Sequence, residues 1–199
     1  LYNMEFHAGH IYHVYNQGNN QNKIYFQEEN YVYFLKKMKK HLTPHSHILA
    51  WCLMPNHFHW LIKIIEDYKN KDARVDYLNR SIGSLLSSYT QAVNKNIGRS
   101  GSLFRDKTKA KRITKACTKR NYYGLNCFLY IHQNPLKAGL VSNMEDWEYS
   151  SFRDYAGMRD GQLCNKELAK DLFALPDNSK EFLEFSKQTI PESVIKHIF

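Results

Sequence analysis

Two apolar segments joined by a very short turn constrain the fold of this chain more than any other feature. Segments His47–Leu53 and His57–Ile64 are rich in strand-forming residues, and only Met54, Pro55 and Asn56 separate them. Such a short connection predicts an antiparallel hairpin, because parallel strands need a long crossover between them. We therefore expect a fold that contains an antiparallel sheet.

The second of these strands contains two histidines at alternate positions. Because alternate residues of a strand point to the same side, His57 and His59 project together, while Phe58 and Trp60 pack on the other side. Two aligned imidazoles form half of a divalent metal site. The chain has 10 histidines, so the pair could also be two ordinary polar groups at a sheet surface. The spacing alone leaves both interpretations open.

The other periodic segments place this hairpin in a larger order. A strand is predicted over His10–Gln17, ended by the polar loop Gly18–Asn22, and an amphipathic helix over Gln27–His41. After the hairpin, Asp67–Asp76 reads as a polar loop and Leu78–Asn96 as a second helix. The order strand, helix, strand, strand, helix predicts an α+β fold of the ferredoxin-like or RRM-like kind. We expect an antiparallel sheet with helices packed on one of its faces.

A third helix is predicted from about Thr118 to Pro135, which would end it. Tyr130 and Asn134 lie four residues apart on this helix, so a hydroxyl and an amide oxygen can point at the same spot. The alternatives are a packed tyrosine and an asparagine that only marks the end of a helix.

The composition favours a polyanionic partner. Lysine and arginine total 28 against 19 acidic residues, which gives a formal charge of +9 and a pI near 9.3. The 14 Tyr, 11 Phe and 3 Trp residues suit the stacking of unpaired bases, although an anionic membrane surface is also compatible with the charge. Cations are densest in Gly98–Ile113, predicted as a mobile loop that Leu103 and Phe104 anchor beside the sheet and that passes into a strand near Ala110–Ile113. The candidate phosphate-binding residues there are Arg99, Arg105, Lys107, Lys109, Lys111 and Arg112.

The cysteines and the hydropathy pattern predict an intracellular protein. The four cysteines are scattered, so neither a zinc knuckle nor a disulfide framework is indicated, and a reducing cytoplasm fits best. We find no apolar run long enough for a membrane span and no signal-peptide pattern at the start of the sequence.

Two segments together carry a resemblance to a known family. MPNHFHWLI at Met54–Ile62 and YIHQNPLKAGLV at Tyr130–Val141 resemble the single-tyrosine HUH transposases, and most closely their REP-associated tyrosine transposase branch. Supporting segments lie in the same order at Tyr12–Gly18, Ser88–Phe104 and Trp147–Gly157. The similarity spans about residues 10–157, so we predict a transposase domain over residues 1–157 and a C-terminal helical tail over residues 158–199.

The resemblance implies an enzyme that cleaves and rejoins single-stranded hairpin DNA. Tyr130 would be the catalytic nucleophile that forms a 5′-phosphotyrosine, and His57, His59 and Asn134 would bind Mg²⁺ or Mn²⁺. It also implies a prokaryotic cytoplasmic protein that associates with the nucleoid while acting on DNA. Where relatives usually have glutamine, glycine and arginine after the Leu-Phe pair, this chain has arginine, aspartate and lysine at positions 105 to 107. The rival groups by residue type are Gln133 as the amide ligand and Tyr122 or Tyr123 as the nucleophile.

Other classes of function and two oligomeric states remain open on the sequence. An RRM-like domain would bind single-stranded nucleic acid without chemistry, and a metal-dependent hydrolase would use water, with Tyr130 only structural. The family admits a monomer or a homodimer. The tail could cover the surface where a second copy would dock, a hypothesis that unchanged dimer formation after tail deletion would contradict. Its apolar residues are Leu172, Phe173, Phe182, Leu183 and Phe185.

Overall fold

Strands and helices alternate through most of the chain, which is helical towards its C-terminus. The computed structural model describes residues 5–66, 71–113 and 122–196. Two short 3-10 turns, Asn19–Gln21 and Met144–Asp146, lie between the main elements. These elements are β1 (Ile11–Gln17), α1 (Glu28–Leu42), β2 (Ser46–Met54), β3 (His57–Ile64), α2 (Lys71–Ile97), β4 (Lys109–Ile113), α3 (Tyr122–Lys137), α4 (Phe152–Tyr155), α5 (Lys166–Phe173), α6 (Ser179–Ser186) and α7 (Glu192–Ile195).

The four strands form one antiparallel sheet in the order β2-β3-β1-β4. The predicted hairpin is present as β2 and β3, and the central strand β1 places Tyr15 opposite both His59 of β3 and Lys109 of β4. The outer edge of β2 is covered, because Leu53 N–H donates to the carbonyl of Tyr149 and Ser151 N–H donates to that of Trp51. The α+β, ferredoxin-like prediction is confirmed.

Helices cover both faces of the sheet, whereas one covered face was expected. The first face packs on α1, which in turn packs against α2, and the Phe34 ring of α1 lies 5.5 Å from Phe58 and 5.9 Å from Trp60. The third helix, α3, packs on β2 and β3 from the other side. That side carries the fully buried Cys52 and Leu61, an apolar surface that the apolar face of α3 can bury.

The second helix begins earlier than predicted. Residues Lys71–Asp76 belong to α2 rather than to a loop, while residues 67–70 of the predicted loop lie outside the described part of the chain. The segment lacks an apolar stripe, but it also lacks glycine and proline, so nothing in it prevents a helix from extending.

The third helix passes through Pro135 and ends two residues later, so the predicted stop at this proline was wrong. Proline in the last turn removes one donor only, and the helix ends where Gly139 adopts a φ of 67°. Gly139 N–H donates to the carbonyl of Leu136, and Leu140 N–H donates to that of Pro135, which is the Schellman pattern of a helix C-terminus. The predicted start at residues 118–121 lies outside the described residues.

The C-terminal helices α5, α6 and α7 all contact α3. Phe173 and Phe182 of the tail approach the ring of Phe128 on α3, at centroid distances of 5.8 and 6.3 Å. The side-chain amide of Gln133 donates to the backbone carbonyls of Ser186 and Gln188, at 2.8 and 2.9 Å. The tail therefore holds α3 against the sheet. Within the described residues, every helix is too short or too polar to cross a bilayer.

Candidate active site

A cavity of about 280 Å³ opens between β1, β3, β4 and α3. It contains both histidines of the β3 pair and the tyrosine of α3, together with exposed cations from the segment that leads into β4. The lining residues are Tyr15, Asn16, Gln17, His57, His59, Arg105, Lys107, Lys109 and Tyr130.

The two histidines of β3 face the same side of the sheet, as their spacing predicts. Their ring centroids are 4.9 Å apart and their planes are nearly perpendicular, at 80°. Each uses Nδ1 for a hydrogen bond, His57 to Asn56 Oδ1 at 2.6 Å and His59 to His13 Nε2 at 2.9 Å. A cation in the cavity would therefore be bound through the Nε2 atoms.

The helix α3 brings Tyr130 and Asn134 to this histidine pair. The side chain of Asn134 lies beside both His57 and Tyr130, close enough to act on the pKa of each. The Tyr130 ring meets His59 edge-on, with 5.8 Å between ring centroids. Residues more than seventy positions apart in the sequence thus form one polar cluster, and Asn134 links its two halves.

Burial makes the two histidines neutral at physiological pH. It lowers the pKa of His57 to about 4, and it lowers the pKa of His59 well below the ordinary value, with the neighbouring His13 and His57 acting in the same direction. Neutral imidazole is the form that binds metals. The electrostatic state of both side chains is therefore that of a metal ligand.

The nucleophile candidate is also affected by burial. Burial raises the pKa of Tyr130 to about 12, while the neighbouring Asn134 side chain acts in the opposite direction. The phenol is therefore protonated at neutral pH in the isolated protein. Ionisation of this phenol at neutral pH needs a bound cation or a base.

The donor atoms fit a small divalent cation. Among the described residues, no cluster of three or more histidine, cysteine, aspartate or glutamate side chains could hold a metal, so the Asn134 amide would have to complete the set. Its Nδ2 atom is buried without a hydrogen-bond partner, and its amide oxygen is the atom that would bind a cation. Two imidazole nitrogens and one amide oxygen suit Mn²⁺ and admit Mg²⁺.

The structure separates the predicted DNA-binding cations into groups. Arg105, Lys107 and Lys109 line the cavity, and Lys111 lies two residues beyond Lys109 on the same face of β4. Arg112 pairs with Tyr12 on the opposite face of the sheet, away from the cavity.

Arg99 lies in a different cavity and hydrogen bonds to Asn94 Oδ1 and to the carbonyl of Ser102. The segment that carries these cations is anchored, because Leu103 and Phe104 are buried as predicted. Arg105 N–H also donates to the carbonyl of Gln17.

The rival side chains point elsewhere or fall outside the cavity. Gln133 is turned towards the tail by its bonds to Ser186 and Gln188, so it does not compete with Asn134. Tyr123 is half-buried and is not among the residues that line the cavity. The side chain of Tyr122 lies outside the described part of the structure.

Four further residues of this region were not identified from the sequence. Tyr15 lines the cavity, and His13 and Asn56 contact the histidine pair. Lys137 places Nζ 5.7 Å from the centroid of the Tyr130 ring. The spacing carried a usable signal for Lys137, which follows Tyr130 by about two helical turns and so shares its face.

Comparison with known proteins supports the resemblance seen in the sequence. No family model matches the chain. A Haemophilus influenzae protein with the provisional name REP-associated tyrosine transposase is 29% identical over 106 residues, which cover 52% of this chain and 57% of that protein. The chain thus matches little more than half the length of this curated relative.

A solved structure of a REP-associated tyrosine transposase bound to a REP hairpin has a similar fold. The match has a TM-score of 0.53 at 17% identity and covers 81% of this chain and 95% of the other. This likeness confirms the α+β fold. The similarity in sequence to the Haemophilus influenzae protein supports the resemblance to REP-associated tyrosine transposases.

Proposed function

We propose that this chain is a REP-associated tyrosine transposase that cleaves and rejoins single-stranded hairpin DNA. The observation that carries the proposal is that α3 brings Tyr130 and Asn134 to the histidine pair. The Tyr130 ring meets His59 edge-on, and Asn134 lies beside both His57 and Tyr130. A tyrosine with only a structural role would not require a pair of neutral histidines and an amide beside it. The proposal extends to this chain the DNA hairpin named for the similar solved structure.

His57, His59 and Asn134 would hold the Mg²⁺ or Mn²⁺ that this chemistry needs. When bound, the cation supplies positive charge that polarises the scissile phosphate and favours the ionised phenol. The neutral state of both imidazoles and the position of the Asn134 amide beside His57 support this assignment.

Tyr130 would attack the phosphorus atom. The new bond joins its Oη to phosphorus, the bond from phosphorus to the 3′-oxygen breaks, and the DNA is left with a free 3′-hydroxyl and a 5′-phosphotyrosyl link. Because this link conserves the phosphodiester energy, attack by another 3′-hydroxyl can rejoin strands without ATP. Lys137 stands above the Tyr130 ring, and burial lowers its pKa, so it is placed to interact with charge that develops on the phenol oxygen.

The basic residues of the cavity would guide the DNA backbone to Tyr130. Arg105, Lys107 and Lys109 are exposed and lie on the β4 side of the cavity, opposite α3. Their charges would contact phosphates on both sides of the cleavage point. Tyr15, whose ring is 5.7 Å from Lys109 Nζ, offers a surface for an unpaired base.

The packing of α3 favours catalysis over the alternative of an RRM-like binding module. In that module the open sheet face stacks bases, whereas here α3 covers β2 and β3 on the face that carries His59. The same packing places Tyr130 beside the histidines of its own chain. We therefore infer that one chain supplies a complete site and that the protein acts as a monomer.

The test is metal-dependent covalent capture of DNA. The protein would be incubated with labelled single-stranded hairpin DNA from the repeats that flank its gene, with Mn²⁺ or with chelator, and then denatured. We expect a protein-DNA band that needs metal and disappears in Tyr130→Phe and in His57→Ala, but persists in the matched tyrosine variant Tyr123→Phe. DNA binding without this band would support the binding-module alternative, and cleavage without it would support a hydrolase.

A further inference from the structure

The histidine pair of the candidate site is held by two residues that have no part in the proposed chemistry. His13 and Asn56 each meet the Nδ1 atom of one histidine, at 2.9 Å from His59 and 2.6 Å from His57. His13 is fully buried in the central strand β1, and Asn56 lies in the turn between β2 and β3. Both partners are therefore fixed by the sheet itself.

The Asn56 contact defines the tautomer of His57. The Oδ1 atom of Asn56 is an acceptor, so the bond requires a proton on His57 Nδ1 and leaves the lone pair on Nε2. Asn56 is itself held, because its Nδ2 donates to the carbonyl of Gln21 at 3.2 Å and its own carbonyl accepts from Gly18 N–H at 2.8 Å. The loop after β1 thus orients the Asn56 amide.

The contact with His13 constrains the tautomer of His59. Here the partner is a second imidazole, which is less common than an amide or a carboxylate. The rings of His13 and His59 are stacked at a centroid distance of 5.0 Å. The ring of Tyr15 is also stacked on that of His13, at a centroid distance of 4.8 Å. If His59 is to present Nε2 to a cation, its Nδ1 proton must be accepted by His13 Nε2. His13 then acts as a neutral acceptor.

We propose that His13 and Asn56 are positioning residues, which fix His59 and His57 in the tautomer that presents Nε2 to a divalent cation. Partners of this kind orient a metal-binding histidine and increase its basicity, and their loss typically weakens metal binding by about 10 to 100-fold. This inference rests on the proposed function, since it assigns a purpose to the same metal site.

The first arm of the test observes the tautomers directly in the metal-free wild-type protein. Long-range proton-nitrogen NMR spectra of ¹⁵N-histidine-labelled protein at neutral pH distinguish a protonated from an unprotonated ring nitrogen. We expect Nδ1 to be protonated and Nε2 unprotonated in both His57 and His59. A proton on Nε2 of either histidine would overturn the proposal, whatever the protein does with metal.

The second arm measures the affinity for Mn²⁺ by calorimetry. We expect His13→Leu and Asn56→Leu to weaken binding about 10 to 100-fold, whereas His13→Gln and Asn56→Asp, which keep an acceptor, lose much less. The control is His47, a half-buried histidine of the same sheet that hydrogen bonds to Asn165, for which both His47→Leu and His47→Gln should leave the affinity unchanged. Equal losses in the leucine and acceptor-keeping variants, or no loss in any of them, would contradict the proposal.

The two arms separate failure of this inference from failure of the proposed function. If the wild-type protein binds no Mn²⁺, the metal site is refuted, and His13 and Asn56 lose the purpose proposed for them. This holds even if the predicted tautomers are observed. Mn²⁺ binding that His57→Ala abolishes, combined with the opposite tautomers, would leave the proposed function standing and overturn only the roles of His13 and Asn56. A His13→Leu variant that does not fold leaves the tautomer spectrum as the deciding result.

Discussion

Acid should loosen the packing of α3 through His132. This histidine is fully buried on α3, packs on the Phe128 ring at 4.4 Å, and has Nε2 2.7 Å from Ser151 Oγ. Burial lowers its pKa to about 3. Because the unfolded chain binds a proton near pH 6.5 and the folded chain does not, the stabilisation is complete above that pH and is lost progressively as the pH falls towards 3.

The size of the effect follows from the two pKa values. Between about pH 7 and pH 5, a histidine with a pKa of 6.5 when unfolded and about 3 when folded reduces the free energy of unfolding by roughly 2 kcal/mol. His132→Phe removes the titrating group and places a ring among Phe128, Phe152 and Tyr155, which surround this position. We therefore expect the free energy of unfolding to fall by roughly 2 kcal/mol less in the variant than in the wild type over this pH range.

Urea denaturation followed by tryptophan fluorescence measures both proteins at each pH, with chelator present throughout. The other histidines whose pKa burial lowers, His57 and His59 among them, are shared by the two proteins, so their own acid sensitivity cancels in the difference. If the free energy of unfolding falls equally in the wild type and in His132→Phe between the two pH values, the buried neutral state of His132 is refuted. The expected effect of acid on the packing of α3 is then refuted as well.

Three further outcomes are expected from the site and the fold. Asn134→Leu should reduce covalent adduct formation about 100-fold, the usual effect of removing one preorganised polar group, in a time course of the labelled band. Lys107→Gln should lower the slope of log affinity against log salt for hairpin DNA by about one, measured by fluorescence anisotropy, whereas Lys180→Gln on the remote exposed tail should not change it. Gly18→Ala should lower the free energy of unfolding by about 2 kcal/mol or more, because its Cβ would collide with a backbone carbonyl. The control is Gly83→Ala on α2, where the new Cβ meets open space and should raise the free energy of unfolding by up to about 1 kcal/mol.

The strands were predictable because their signals are local. Alternation in β1 and the short turn between β2 and β3 depend on neighbouring residues only, and β3 has the predicted bounds His57–Ile64. The same alternation predicts that His57 and His59 share a face, and helical spacing predicts that Tyr130 and Asn134 share one. Residues that one element aligns can be found by periodicity.

Features that depend on packing between elements could not be read in the same way. The sequence does not say which sheet face α3 covers, so neither the two-sided packing nor the burial that raises the pKa of Tyr130 was foreseen. His13 meets His59 only through the register of β1 against β3. Pro135 was misread because its cost depends on its position within the last turn, which Gly139 determines.

The central claim is that Tyr130 itself becomes joined to DNA, and mapping the linked residue tests it most directly. The metal-dependent adduct formed with hairpin DNA would be digested with protease and nuclease, and the modified peptide identified by mass spectrometry. The account predicts a 5′-nucleotide phosphate on Tyr130 and on no other tyrosine. A nucleotide on Tyr15, Tyr122 or Tyr123, or cleaved DNA without any modified peptide, would contradict it.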